Sequence, residues 1–302
     1  MHIAPASASS PLVQPSVLLG YEASMNPYVG CGGGCTFCYA QQMIKEPGHA
    51  WGQFVRTRDH IERRLASQWA KFCGKSLLIG SMTDPYQPVE QTRRLTRQAL
   101  QILLQNPPSR LGIFTRYDTV LQDLQLLQQF PQVTVHMSLS PFAAHDLHLF
   151  EPNTPPNARR LAAIERLADA GIECHSQVSP LTPGFSDQRQ VVVHLLDQIA
   201  KSSLIMARLD PLQAYSAAQH TILGAMGDRD DQQVRRFRQV MVDSKSVLEW
   251  ANQQRGIWAQ TWCRSHLGNS TRLVWANHIA FEWVDLVSGE VTRLPRKGDA
   301  AS

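Results

Sequence analysis

The chain has 302 residues, 43% of them hydrophobic and 18% charged, with a formal net charge of +4; this balance excludes a disordered or fibrous polypeptide and allows one large core with a smaller appendage. No stretch approaches the roughly 18 uninterrupted apolar residues of a membrane-spanning helix, and the opening MHIAPASASS has neither the basic start nor the apolar core of a secretory leader. No membrane association and a cytoplasmic location are therefore expected.

Residues 1–22 are rich in Ala, Ser and Pro without periodicity and predict a flexible lead-in. Beyond them, short runs of β-branched and apolar residues at Ser76–Ile79, Leu111–Thr115, Val133–Leu139, Ile172–Val178 and Leu204–Leu209 have the length of buried parallel strands. Helix-like segments lie between them, at His60–Phe72, Thr92–Gln105, Thr119–Phe130, Asn157–Ala170 and Ser186–Lys201. Gly171 stands where a helix-ending glycine belongs, and Asp187, after Pro183-Gly184, is placed to cap the next helix. The alternation predicts an α/β fold with a parallel sheet and helices outside it. With a short strand before Cys31 there are six strand–helix units, fewer than the eight of a closed barrel. This predicts an open, partial (β/α)6 TIM barrel over residues 23–256, ending in a charged helix from Asp230 to Gln254. From Ile257 the chain carries Trp258, Trp262, Trp275 and Trp283 among strand-like residues, which predicts a small β-rich extension over 257–302.

Charge is uneven along the chain. Between Trp51 and Asp118 eleven Lys and Arg stand against five Asp and Glu. Such a surplus either coats solvated helix faces or attracts phosphates, and solvated faces are the commoner case. His136, His145, His148, His175 and His194 lack the spacing of metal ligands and are expected to be ordinary surface or core residues.

The six cysteines are Cys31, Cys35, Cys38, Cys73, Cys174 and Cys263, and three of them crowd into eight residues rather than spreading as a disulfide framework would. They lie in Asn26-Pro-Tyr-Val-Gly-Cys31-Gly-Gly-Gly-Cys35-Thr-Phe-Cys38-Tyr39-Ala40. Thiolates at CxxxCxxC spacing on a Gly-rich loop can reach three irons of one [4Fe-4S] cube, and the N–H groups of Gly32, Gly33 and Gly34 can hydrogen-bond its sulfides. No fourth cysteine follows nearby, so one iron stays open to the amino and carboxylate groups of a small molecule such as S-adenosylmethionine (SAM). The alternative is a zinc site that recruits His49, His60 or Cys73, although zinc more often takes paired CxxC units. Cys174, inside a strand, is expected to be a small buried hydrophobe, and Cys73 ends a helix.

The string NPYVGCGGGCTFCYAQ, with TDPYQPVE at 83–90 and the later EPNTPP, AGI and SPLTPGFSD, resembles the radical SAM proteins related to spore photoproduct lyase, over roughly residues 24–210. The resemblance implies a [4Fe-4S] cluster on Cys31, Cys35 and Cys38, bound SAM, and an electron donor such as flavodoxin or ferredoxin. It also implies that Phe37, with help from Tyr39, packs near the adenine, and that Thr83 and Asp84 bind the amino end of SAM. Arg116 stands where the lyase carries a lysine near the SAM carboxylate, and a guanidinium there offers bidentate binding. Ser138, Ser140 and Arg208, together with Gln177, Ser179 and Asp210, end later strands; contacts to SAM or simple turn and cap roles are both open to them. Ser81 matches the position of the lyase cysteine that returns a hydrogen atom, and Cys263 is the candidate substitute donor.

Three functions follow from this reading. The leading one is an enzyme that cleaves SAM reductively to a 5′-deoxyadenosyl radical, which abstracts hydrogen from an organic substrate. The second is lyase-like repair of a DNA photoproduct, consistent with the basic stretch but not favoured. The third is an iron–sulfur redox protein without catalysis, which the open iron argues against, because carriers use four thiolates.

Overall fold

The computed structural model describes residues 1–7, 11–212, 216–266, 269–277 and 282–293. The strands among them are β1 (His2–Pro5), β2 (Val13–Pro15), β3 (Ala23–Met25), β4 (Tyr28–Val29), β5 (Phe54–Thr57), β6 (Leu77–Ile79), β7 (Leu111–Thr115), β8 (Val133–Leu139), β9 (Glu173–Leu181), β10 (Met206–Pro211), β11 (Arg272–Asn277), β12 (Glu282–Asp285) and β13 (Val291–Arg293). The helices are α1 (Ala40–Met43), α2 (Ile61–Trp69), α3 (Glu90–Arg93), α4 (Leu95–Leu103), α5 (Leu124–Leu127), α6 (Leu147–Phe150), α7 (Asn157–Asp169), α8 (Arg189–Ala200), α9 (Ser216–Met226), α10 (Gln232–Val240) and α11 (Ser244–Ser265).

One large sheet runs in the order β13-β12-β11-β10-β9-β8-β7-β6-β3-β2. From β3 through β11 every neighbouring pair is parallel, while β2, β12 and β13 join antiparallel at the two edges. Among the described residues the edge strands do not meet, so the sheet is open. A second sheet, β1-β5-β4, stands beside the segment that leads into the cysteines.

The two faces of the large sheet differ chemically. Cys174 points to the helical side, where its thiol donates to the Ile164 carbonyl of α7, and Val135, Met137, Val178, Ala207 and Leu209 are buried with it. Alternation then sends Thr134, His136 and Ser138, His175 and Gln177, and Arg208 to the opposite, inner face. Tyr21 plugs the base of that face, bonding His136 Nε2 at 3.0 Å beneath the Arg110 guanidinium at 4.1 Å.

Strands β7 and β8 coincide with their sequence expectations, and β6, β9 and β10 differ only at their ends. Other elements depart for identifiable reasons. The lead-in is not wholly irregular, because β1 pairs with β5 and β2 with β3, burying Leu12 and Val13. The helix expected over 92–105 starts at Glu90 and breaks at Arg94, whose φ is 50°. The one expected over 119–130 opens as a 3-10 turn over Asp118–Asp123. The long helix from Asp230 is two, α10 and α11, whose N-termini are capped by the carboxylates of Asp231 and Asp243. Asp187 does not cap α8; it accepts from the Trp250 indole at 2.9 Å.

The expected β-rich extension begins later than Ile257, because α11 continues to Ser265. Trp250, Gln254, Trp258 and Trp262 recur every fourth residue and are all buried, so a stripe of aromatic residues that favours strands by composition is helical by spacing. Beyond it, β11 extends the main sheet beside β10 rather than founding a separate unit. No helix among the described residues is long and apolar enough to cross a membrane.

The basic surplus of 51–118 is substantially used within the fold. Lys75 pairs with Glu22 at 2.7 Å, Arg56 with Glu46 at 3.2 Å and Arg116 with Glu151 at 2.8 Å, Arg97 pairs with Asp123, and Arg110 lies on Tyr21.

The Tyr21 plug requires glycine at 112, where a Cβ would overlap the ring and come within 2.6 Å of Tyr21 Oη. Gly112→Ala is expected to lower stability in urea by about 1–3 kcal/mol through overpacking. In a double-mutant cycle, most of that cost should disappear when Tyr21 is already Ala; an undiminished cost would mean that the ring is not what Gly112 accommodates.

Candidate functional site

The cysteine loop leaves β4 through Gly30, whose φ is 85° and where a Cβ would sit 2.6 Å from the Phe54 carbonyl oxygen; only glycine fits this passage. Gln87, fully buried, clamps the loop from inside: its Oε1 accepts from the Gly32 N–H at 2.9 Å and its Nε2 donates to the Gly30 carbonyl at 3.2 Å. Asn153 Nδ2 donates to the Gly32 carbonyl at 3.1 Å, and Tyr117 Oη donates to the Asn153 carbonyl at 2.9 Å. Thr36 anchors the far side, its N–H on Phe150 O at 3.0 Å and its hydroxyl on Leu149 O at 3.1 Å.

These bonds gather three thiols, none in a disulfide. The N–H groups of Gly33 and Asp84 face the Cys31 sulfur, and those of Ala40 and Gln41 face Cys38. Burial raises all three thiol pKa values, Cys31 to about 12 with the Asp84 charge adding to the effect, while the Arg116 charge works the other way on Cys35 and Cys38. Loading metal on this loop must therefore release protons. A Cβ on Gly33 would lie 3.5 Å from Cys31 Sγ and 3.3 Å from Tyr117 Oη, so the glycine keeps the space beside the sulfur clear. Three thiols free of disulfides and backbone donors aimed at sulfur fit a [4Fe-4S] cluster. Among the described residues no three His, Cys, Asp or Glu side chains gather about one ion. The residues weighed as a fourth zinc ligand stand elsewhere: His49 stacks on His2 at 4.3 Å, and His60 and Cys73 are exposed.

Around the loop the fold assembles most of the expected site. Asn26 holds the segment after β6: its Oδ1 accepts from Met82 N at 2.8 Å and Thr83 N at 3.3 Å, and its Nδ2 donates to Ser81 Oγ at 2.8 Å. Tyr39 Oη donates to the Ser81 carbonyl. Thr83 donates its hydroxyl to Tyr28 O at 2.9 Å. Asp84 is tied to the end of β7, with Oδ1 accepting from Thr115 Oγ1 at 2.6 Å and Tyr86 N at 2.9 Å, and Oδ2 from Arg116 N at 2.7 Å. Burial raises its pKa against those bonds. Arg116 lies over the Phe37 ring at 5.1 Å.

Arg116 has a protein partner that sequence reasoning does not supply. Its Nη1 donates to Glu151 Oε1 at 2.8 Å, and the other oxygen of Glu151 accepts from Thr154 Oγ1 at 2.7 Å and from Arg160. Arg160, itself fully buried, also donates to Ser138 O at 3.0 Å and Ser140 Oγ at 2.9 Å. Ser140 is thereby held by the protein. Burial would raise the Glu151 pKa, but Arg116 and Arg160 bring it down to about 2. Asn26, Gln87, Glu151 and Asn153 all lie inside the motif strings, yet nothing in their spacing announces a role. Ser138 and Arg208 lie on the inner face. Cys263 does not join the site: it is on α11, which packs on α8 on the helical side of the sheet, with His266 on Asp197 at 2.9 Å.

Residues 25–196 match the family model of the radical SAM superfamily, more than half of the chain, and the protein belongs to that superfamily. Membership implies an iron–sulfur enzyme that uses SAM. An uncharacterised protein of Methanocaldococcus jannaschii is 28% identical over 181 residues, covering 60% of this chain and 68% of that one. An uncharacterised protein of Mycobacterium tuberculosis is 29% identical over 202 residues, covering 62% of this chain and 58% of its own length. Among solved structures, spore photoproduct lyase complexed with dinucleoside spore photoproduct superposes with a TM-score of 0.65 at 15% identity, covering 91% of this chain and 82% of that one. A lyase variant with bound AdoMet and the same ligand gives a TM-score of 0.64 at 15% identity, covering 90% and 80%. At that identity the likeness establishes the fold alone.

The Glu151 carboxyl binds its proton less tightly folded, at about 2, than at its ordinary 4.5. Its contribution is fully present above pH 4.5 and is lost as pH falls toward 2. Glu151→Gln leaves buried Arg160 and partly buried Arg116 without their counter-charge and is expected to cost about 3–5 kcal/mol at neutral pH. Denaturant midpoints measured against pH should show the gap between wild type and variant closing below pH 4.5; a constant gap would mean that the charge of Glu151 is immaterial.

Proposed function

We propose that the protein holds a [4Fe-4S] cluster on Cys31, Cys35 and Cys38 and uses it to open SAM for hydrogen abstraction from an organic substrate. The observation that carries this reading is the set of three thiols free of disulfides on one clamped loop, Cys35 buried and Cys31 and Cys38 partly so, flanked by Asp84 and Arg116. When bound and reduced, such a cluster supplies one electron that splits a carbon–sulfur bond of SAM into methionine and a 5′-deoxyadenosyl radical, which takes a hydrogen atom from the substrate to become 5′-deoxyadenosine. The chain's own residues bind and orient. Asp84 Oδ2 accepts one N–H within the protein and keeps a lone pair for the SAM ammonium, and the Thr83 hydroxyl keeps its acceptor capacity beside it. Arg116 is assigned to the SAM carboxylate, with Glu151 fixing its plane, and Phe37 and Tyr39 to the adenine. The open run of parallel strands from β3 through β11 supports reading residues 23–277 as a partial barrel around this site, served by a flavodoxin- or ferredoxin-like donor in a reducing cytoplasm.

Photoproduct repair is not favoured. Ser81 stands at the expected hydrogen-donor position, and its Oγ accepts from Asn26. A hydroxyl O–H bond is far stronger than a thiol S–H bond, so a carbon radical does not draw hydrogen from it readily. Cys263, on the far side of the sheet, offers no substitute.

Anaerobic reconstitution is expected to give about four irons per chain, and dithionite-reduced protein is expected to form 5′-deoxyadenosine from SAM without added substrate. Cys35→Ala should lose iron and cleavage, while Cys73→Ala keeps the iron. Iron retained by Cys35→Ala but lost from Cys73→Ala would overturn the ligand set, and fully loaded protein that forms no deoxyadenosine would be a redox carrier instead. With the dinucleotide photoproduct, deoxyadenosine should form without release of thymine; clean conversion to two thymines would restore the repair reading.

A further inference from the structure

On the inner face of β8, β9 and β10, a row of buried polar side chains has bonding capacity that the described residues leave unused. The parallel register sets Ser138 of β8 beside Gln177 of β9, and Gln177 beside Arg208 of β10, so the three project from one face at one level. They are 1%, 7% and 3% exposed. Among the described residues, Ser138 Oγ, Gln177 Oε1, and Nε and Nη1 of Arg208 have no hydrogen-bond partner. Buried polar atoms are nearly always paired, and a buried cation with unpaired N–H groups is costly, so a cluster of this kind calls for a ligand that completes it.

The surroundings define the charge that ligand must carry. One level nearer the base, His136 and His175 share the face; burial first, and Arg208 next, lower the His136 pKa far below its usual value and bring that of His175 to about 4. Both imidazoles are therefore neutral at neutral pH, and Arg208 is the cation of this level. Asp210, the neighbouring acid, accepts from Gln177 Nε2 at 2.8 Å, and Nε and Nη1 of Arg208 take no bond from it. Trp283 of β12 lies 4.0 Å from the guanidinium and covers one of its faces, excluding water and strengthening what the remaining edges can bind.

We propose that Ser138, Gln177 and Arg208 form a substrate subsite that takes an oxyanion, a carboxylate or a phosphate, with an adjacent N–H or O–H donor. The guanidinium and the serine hydroxyl donate to the oxyanion, and Gln177 Oε1 accepts from the adjacent donor. The proposal rests on the radical SAM reading in assigning this ligand to the substrate. It moves Ser138 and Arg208 from the SAM contacts that the sequence suggests to the substrate side of the inner face, while Asp84 and Arg116 stay with the cysteine loop.

The test is thermal unfolding of the reconstituted, unreduced protein in sodium phosphate or sodium glycolate, each carrying an oxyanion and its own hydroxyl, against sodium chloride at matched ionic strength, with and without saturating SAM. Phosphate or glycolate is expected to raise the wild-type Tm by at least about 2 °C over chloride, whichever does so identifying the oxyanion, and the rise should persist when SAM is bound. Arg208→Met should lose the rise and, relieved of the desolvation cost of a buried charge, should melt above wild type in chloride. Ser138→Ala, a small change should the first variant not fold, is expected to weaken the apparent anion affinity about tenfold. No anion-specific rise, a rise that survives Arg208→Met, or an affinity unchanged in Ser138→Ala would overturn the subsite. A rise abolished by SAM would overturn it too, returning Arg208 to the SAM carboxylate. Wild type that shows the SAM-independent rise but forms no deoxyadenosine would sink the proposed chemistry and leave the oxyanion site standing; deoxyadenosine without the rise would do the reverse.

Discussion

Glu151 lies between Arg116 and Arg160, and this buried triad joins parts that the chain delivers from distant places. Arg116 leaves the end of β7 and covers Phe37 of the cysteine loop, and its second amino group reaches Ser179 O of β9 at 3.4 Å. Arg160 comes from α7 and holds the end of β8 through Ser138 O and Ser140 Oγ. Glu151 follows α6, whose Leu149 and Phe150 carbonyls receive Thr36 of the same loop. Apolar packing of equal volume would stabilise the fold at least as well, since buried charges pay heavily for lost hydration. What it would not supply is directional bonding among three strand ends, together with one surplus positive charge beside Cys35 and Cys38.

That surplus matters because the thiols resist ionisation in their buried setting. Arg116 opposes the effect of burial on Cys35 and Cys38, and backbone N–H groups do so on Cys31 and Cys38. The same donors would stabilise the thiolate ligands of a bound cluster, so the electrostatics that ease loading also favour the loaded state.

The main sheet separates support from chemistry. On β8, β9 and β10 its helical side is apolar but for Ser176, whereas its inner side carries hydroxyl, imidazole, amide and guanidinium groups. A parallel strand buried on both faces usually reads as a continuous apolar run. Here Val133-Thr-Val-His-Met-Ser-Leu139 alternates instead, with the polar member always inward. The inner face is thereby unsuited to a hydrophobic core and suited to holding ligands.

Features that depend on neighbours in the chain were legible in the sequence. The three thiols lie within one turn-rich loop, so their spacing alone limits what they can bind, and β7 and β8 are bounded by local composition and turns. Asp84 and Arg116 were reachable through the family resemblance, which matches the segment after β6 and the end of β7 to positions that bind SAM. The clamps were not. Gln87 meets Gly32 across 55 residues and Asn153 meets the same glycine across 121, and no local pattern distinguishes such an amide from one that faces water. The aromatic run on α11 misled by composition, since indole rings favour strands unless their fourfold spacing finds a helical face to bury. Arg208 ended a strand in the sequence, but only strand register brings it level with Ser138 and Gln177 and sets it under Trp283, because side-chain partners across a sheet are chosen by which strands pair and in what alignment.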